Sequence, residues 1–414
     1  MIISRDGSGT RNIAPPPEPA DALGPGRATM LPIRPEIEHL RDSAIIEVWR
    51  LGFVVPDVIG LWAGELDVPT PRFICDAACE ALRAGKTFYT HKRGIPELRS
   101  ALIDYYRRLH GVEIPDGRIS VTSSGMNAVM LICETVLRAG DNVVFVAPTW
   151  PNAVRAAEVH GAQIREVAMR SGPGGWTLDL EQVFERCDAR TRFIYYASPG
   201  NPTGWIISPS EQRSLLEFAR ERGIFLLADE VYHRFVYDRE VAPTLLSIAG
   251  PDDPVFVINS FSKAWAMTGW RMGWMVFPES LTMAYEKLIE YNTSGGQAFL
   301  QEGAIAALQQ GEPFVEQILE RSRTGRKLVQ DRLSRMRGVR ITPCNGAFYV
   351  MFELDSVSDT LAFCKRAVTE ARVGLAPGVA FGAGAGNHVR LCYAKTEENL
   401  TRAMDRLEPF LDRL

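Results

Sequence analysis

No uninterrupted apolar run in this chain is long enough to cross a bilayer, which argues against a helical membrane protein. Charge of one sign is also scarce. A net −4 over 414 residues gives no general attraction to nucleic acid or to an anionic membrane. The seven cysteines are odd in number and scattered through apolar segments such as Leu391-Cys392-Tyr393, so no disulfide framework is implied. Reduced thiols in a cytoplasmic protein fit better. Cys75 and Cys79 lie four apart with no second pair, and none of the six histidines has a metal-ligand spacing, so no metal is expected. Gly382-Ala383-Gly384-Ala385-Gly386 lacks the GxGxxG spacing, and GxxxxGK(S/T) is absent, which removes both common nucleotide-binding loops. The N-terminus has no apolar core of signal-peptide type. Residues 1–30, with Ala14-Pro15-Pro16-Pro17-Glu18-Pro19 at their centre, read as a flexible arm, too short for a DNA-binding domain.

What is present is an ordinary globular composition, 46% hydrophobic and 23% charged, on a chain long enough for two domains. From about 118 to 277, short β-branched or aromatic runs alternate with helical stretches. The runs are Ile119 to Thr122, Val143 to Val146, Phe193 to Tyr196, Ile224 to Leu227, Val255 to Ile258 and Trp274 to Phe277. Such alternation predicts an α/β fold of βαβ units, with a largely parallel sheet covered on both sides. Ligands bind beyond the carboxyl ends of such strands. There the sequence places Ser123-Ser124-Gly125, Asn201, Asp229 and the stretch Ser260 to Lys263, after four different runs. After about 300 the pattern changes to a long helical stretch, roughly 300–336, then short strands near 347–352 and 388–393 and helices near 358–371 and 396–413. We expect a large domain over 61–300 and a smaller α+β domain over 301–414 that also takes in 31–60.

The most informative stretch is Ser260-Phe261-Ser262-Lys263-Ala264-Trp265-Ala266-Met267-Thr268-Gly269-Trp270-Arg271-Met272-Gly273. A lysine at the end of a buried strand is costly unless its amine has chemistry to do. Hydroxyls before Lys263 and an arginine after it are phosphate-binding types, which suggests a Schiff base to a phosphorylated aldehyde. The stretch resembles, along its whole length, the lysine signature of class I/II aminotransferases. These are fold type I enzymes of the aspartate aminotransferase superfamily that use pyridoxal 5′-phosphate, and the resemblance runs through nearly everything after residue 31.

That resemblance implies a seven-stranded, mostly parallel sheet in the large domain and a role for each matching residue. Lys263 would carry the cofactor and shuttle the proton at the substrate Cα. Asp229, in Leu226-Leu227-Ala228-Asp229-Glu230-Val231-Tyr232, would pair with the pyridine nitrogen, although an aspartate there could simply cap a helix. Tyr232 and Asn201, the latter in Ser198-Pro199-Gly200-Asn201-Pro202-Thr203-Gly204, would hydrogen-bond the ring hydroxyl group. Ser124, Gly125, Met126, Ser260, Ser262 and Arg271 would hold the phosphate, the first three at a helix start. Trp150 would stack on the ring, and Tyr89 would reach across a homodimer interface to the neighbour's phosphate. Arg390, with Gly64, Asn201 and Trp150, would hold the substrate, the arginine clamping its α-carboxylate.

The implied activity is a ping-pong transfer of nitrogen from an L-amino acid to a 2-oxo acid. Met126 stands where some relatives acting on acidic substrates carry lysine, so neutral or aromatic side chains are favoured, with Trp62 and Phe348 lining their pocket. Two alternatives remain at this point. One is a carbon–sulfur β-lyase on the same fold; the other is a non-catalytic regulator domain, which the short N-terminal arm disfavours.

Overall fold

The computed structural model of the chain describes residues 33–414 and, before them, only Ser4–Arg5 and Arg11–Asn12. The arm expected over 1–30 therefore lies outside the described residues apart from those two pairs. Seven strands, β1 (Ile119–Thr122), β2 (Asn142–Ala147), β3 (Gln163–Ala168), β4 (Thr191–Ala197), β5 (Phe225–Asp229), β6 (Val255–Ser260) and β7 (Gly273–Val276), form one sheet. Their order is β1-β7-β6-β5-β4-β2-β3. Every pairing is parallel except those of β7, which runs antiparallel to both β6 and β1.

Strands β2 and β6 are buried at every position, which explains why they read as continuous apolar runs. The period of two sorts their side chains cleanly. Val144, Val146, Ile194, Tyr196, Leu226, Ala228, Val255 and Val257 enter one core. Val143, Phe145, Phe193, Tyr195, Leu227, Phe256 and Ile258 enter another, shared with the helices Gly125–Val136 and Pro151–Val159. Asp229 keeps step with Leu227, and its register partners are Ala197 and Ile258. The sheet thus carries Asp229 to its carboxyl edge on the face of these two helices.

A second sheet, antiparallel throughout, contains β8 (Val339–Thr342), β9 (Tyr349–Leu354), β10 (Ala376–Pro377) and β11 (His388–Cys392) in the order β8-β9-β11-β10. The segment before the large sheet is sewn to this part of the chain. Ile59–Gly60 pairs in parallel with Val373–Gly374, and Glu47, on the helix Ala44–Leu51, meets Lys365 at 2.8 Å. The helical stretch expected over roughly 300–336 is two helices, Ala298–Gln310 and Glu312–Leu333. Pro313 sits in the first turn of the second, where its missing N–H costs nothing and ends the first helix.

One close approach ties the sheet to the helix that opens after β1. A Cβ at Gly273, the first residue of β7, would lie 2.5 Å from Gly125 N and 2.8 Å from Asn259 O. Both obstacles are backbone, so the strand, the neighbouring strand and the helix start fit together only with hydrogen there. Gly273→Ala is expected to lower stability by about 1–3 kcal/mol, as overpacking does. Urea unfolding of the two proteins checks this, and equal midpoints would contradict it.

Candidate active site

A cavity of about 530 Å³ opens where the carboxyl edge of the large sheet meets the second sheet. Many separate parts of the chain line it. Asp229 comes from the end of β5; Ser260, Ser262 and Lys263 from the turn after β6; Gly125 and Met126 from a helix start; Asn201 from the turn after β4; Tyr349 and Arg390 from β9 and β11. Trp62 and Gly64, Trp150, Tyr232 and Arg271 complete the expected residues that reach it. The structure therefore brings together residues more than 300 positions apart.

The Lys263 amine donates to the carbonyl of Gly64 and lies 5.8 Å from the centre of the Tyr232 ring. Burial pulls its pKa down to about 8, helped by the positive charges of Arg390 and Arg271 and opposed by nearby Cys392 and Glu65. A substantial neutral fraction near pH 7–8 is what a nucleophilic or basic amine requires. Asp229 is 6% exposed and its pKa is raised by burial. Two donors offset that cost: Tyr195 hydroxyl to Oδ2 at 2.8 Å and Val231 N–H to Oδ1 at 3.2 Å.

Arg390, 3% exposed, donates through Nη1 to Asn201 Oδ1 at 2.7 Å and through Nη2 to the carbonyl of Trp62. Its guanidinium lies between the rings of Tyr349 and Phe381, 4.5 and 4.7 Å from their centres. Nε has no partner. The Tyr232 and Tyr349 hydroxyls are 2.5 Å apart. The lack of a side chain at Gly64 makes room for this pair, since a Cβ would fall 1.8 Å from the Tyr349 hydroxyl.

Three of the expected residues stand elsewhere. Ser124 does not line the cavity; its hydroxyl accepts from Asn127 N–H at 3.0 Å and caps the helix Gly125–Val136. Phe348 packs edge-on behind Tyr232, ring centres 5.1 Å apart. Tyr89 is 89% exposed beside Phe88, itself 84% exposed, away from this chain's own cavity. Sequence reasoning missed Glu65, Thr268, Tyr349 and the Ser43-Ile45-Ile46 corner, all of which line the cavity. Of these, Thr268 carried a usable signal, as a hydroxyl inside the stretch Ser260 to Gly273 already singled out.

The residues fit a phosphorylated pyridine aldehyde. The first two helical N–H groups, of Gly125 and Met126, have no acceptor within their own helix, and both residues line the cavity. A Cβ at Gly125 would meet no protein atom closer than 3.5 Å, so the space a side chain would fill is left open to a ligand. Ser260 Oγ and Ser262 Oγ lie 2.8 Å apart beside Arg271, which lines the same cavity. Among the described residues no group of three or more metal-ligating side chains occurs, and no helix is long and apolar enough to cross a membrane.

Comparison with known proteins agrees with this geometry. Residues 56–407 match the family of class I and II aminotransferases. The chain is 32% identical over 376 residues to an aspartate aminotransferase of Pyrococcus horikoshii, covering 90% of this chain and 95% of that one. It is 30% identical over 379 residues to an aromatic-amino-acid aminotransferase of Thermococcus litoralis, covering 91% and 97%. The solved structure of an alanine aminotransferase from Pyrococcus furiosus superposes with a TM-score of 0.87 at 26% identity, covering 92% of this chain and all of the other.

The Tyr232–Tyr349 pair supplies a test of the cavity as described. Each hydroxyl has only the other as partner among the described hydrogen bonds, and both rings are buried. Tyr349→Phe leaves the Tyr232 hydroxyl unsatisfied, at a cost of about 1–3 kcal/mol. Urea unfolding of cofactor-free protein is expected to show that loss, and an unchanged midpoint would mean the two hydroxyls do not meet.

Proposed function

Because this chain belongs to the class I and II aminotransferases, and is a transaminase that uses pyridoxal 5′-phosphate, we propose that Lys263 carries the cofactor and that the donor is a neutral or aromatic L-amino acid. The observation that carries the reading is the desolvated Lys263 amine in the same cavity as Asp229 and Arg390. When bound, the cofactor supplies an electron sink for negative charge at the substrate Cα.

This chain's own groups do the rest. Asp229, inside the wall and held by two donors, is suited to keep a ring N–H charged; a contact between unit charges is worth roughly 4 kcal/mol at an effective dielectric of 20. The Gly64 carbonyl accepts from the Lys263 amine and fixes its position, and that amine would serve as the base for the substrate Cα proton. Gly125, Met126, Ser260, Ser262 and Arg271 offer the phosphate its donors. Arg390, held flat by Asn201 and Trp62, presents a fork matched to an α-carboxylate. Nitrogen then passes from amino acid to 2-oxo acid in two stages.

The preference for neutral or aromatic donors rests on a charge count. Among the described residues the cations lining the cavity are Lys263, Arg271 and Arg390, and each already has a task, so none of these remains for a second carboxylate. Ile45, Ile46 and Trp62 line the cavity as apolar surface. We further infer a homodimer, supported by the exposed Phe88 and Tyr89, whose aromatic surface finds no cover among the described residues. Residues 31–60 and 301–414 are inferred to act as one smaller body against 61–300, and seven unpaired cysteines favour a reducing cytoplasm.

Three measurements test this reading. Lys263→Ala is expected to abolish turnover while the thermal unfolding midpoint stays near wild type; transamination at the wild-type rate would contradict it. Single-turnover absorbance screens against a panel of amino acids are expected to respond more strongly to aromatic and neutral donors than to aspartate. In Arg390→Lys the KM for the preferred donor is expected to rise on the order of 100-fold, since a lysine cannot span the fork. Production of ammonia without any added 2-oxo acid would instead mark an eliminating enzyme.

A further inference from the structure

Asp229 is gripped from behind by a residue that never reaches the cavity. Tyr195 lies in the middle of β4, wholly buried, and is absent from the cavity wall. Its hydroxyl donates to Asp229 Oδ2 at 2.8 Å. The register explains the reach. Asp229 pairs with Ala197, so Tyr195 is its diagonal neighbour two residues back on the same face of the sheet. The ring is fixed against Phe145, centres 5.0 Å apart. Burial and the adjacent Asp229 keep the phenol far above its ordinary pKa, so it stays a donor at every pH the protein meets.

We propose that Tyr195 is a positioning residue for Asp229: it aims one carboxylate oxygen and holds the group ionised for the cofactor's ring nitrogen. This rests on the reading of Asp229 as the partner of that nitrogen. Two opposing effects set the carboxylate's charge. Burial disfavours the ionised form, and of the groups that oppose burial the Tyr195 hydroxyl contributes most, ahead of Val231 N–H and the charge of Lys263. Among the described residues nothing else donates to Oδ2, so none of their side chains takes over if the phenol is lost. The other titratable groups near Asp229 are Lys263, Glu230, which follows it in the chain, and the hydroxyls of Tyr232 and Tyr349. Glu230 is itself raised to about 7, chiefly by burial, with a smaller contribution from the Asp229 charge.

Tyr195→Phe removes one oxygen and keeps the ring. The test is the dissociation constant of pyridoxal 5′-phosphate from full-length apoprotein, measured calorimetrically from about pH 5.5 to 8.5 for wild type, Tyr195→Phe, Asp229→Asn and the double variant. Losing the donor raises the Asp229 pKa further, so the variant holds a protonated, unpaired Asp229 over a wider acid range. Tyr195→Phe is expected to bind about tenfold more weakly at the acid end, with the gap closing toward the alkaline end. In the Asp229→Asn background the same change is expected to do nothing further.

Equal affinities for wild type and Tyr195→Phe across the range would overturn the proposal. So would a gap of constant size that persists in the Asp229→Asn background, since that is what loosened packing alone would give. If Asp229→Asn by itself leaves affinity unchanged, the reading of Asp229 fails first, and the two failures are thereby told apart.

Discussion

The molecule is organised around one unfavourable act, the removal of an amine from water. Lys263 sits where burial drags its pKa to about 8, and a lysine so placed would ordinarily destabilise the fold. The surrounding construction makes that position tolerable without neutralising its purpose. The Gly64 carbonyl accepts from the amine and the Tyr232 ring lies nearby, while no carboxylate forms a direct ion pair with it among the described salt bridges. A close anion would restore the pKa and remove the free base. The nearest acids act through space only, and two arginines act against them.

The sheet topology meets this constraint cheaply. Parallel strands deliver all their carboxyl ends to one edge, so Asn201, Asp229 and the Ser260 to Lys263 turn arrive together without long excursions. Strand β7 is the exception, and its direction matters. It returns the chain from the Lys263 turn back through the sheet, with Gly273 at its first position letting the helix start at Gly125 sit directly against it. From the other side, the antiparallel sheet contributes Tyr349 and Arg390 on adjacent strands. The carbonyl that steadies Arg390 belongs to Trp62, from a segment that joins the chain's two ends through Ile59 and Val373. No single element makes the site, which explains why its residues are so far apart in sequence.

How much of this could be read beforehand depends on whether the cause was local. Six strands were visible because burial on both faces forces unbroken apolar runs. Edge strand β3 was not, since Arg165 and Glu166 sit on a half-buried surface where charge is tolerated. That β7 runs backwards is invisible for a different reason: strand direction leaves no mark on composition. Alternation placed Arg390 opposite Val389 and Leu391, but only the packed structure reveals that this face meets a cavity and two aromatic rings. Tyr195 was hidden inside the run Phe193 to Tyr196, where it reads as one more core aromatic. Its meaning comes from the register with a neighbouring strand, which pairs residues 32 to 34 positions apart.

The claim on which the account turns is that Lys263 is depressed in the fold itself, before any ligand binds. It is measured most directly by NMR titration of cofactor-free protein carrying lysine labelled with 13C at Cε, the Lys263 signal assigned by its loss in the Lys263→Ala spectrum. A midpoint near 8, well apart from the other lysines, is the predicted result. A midpoint near 10.5 would show an amine in contact with water and contradict the account.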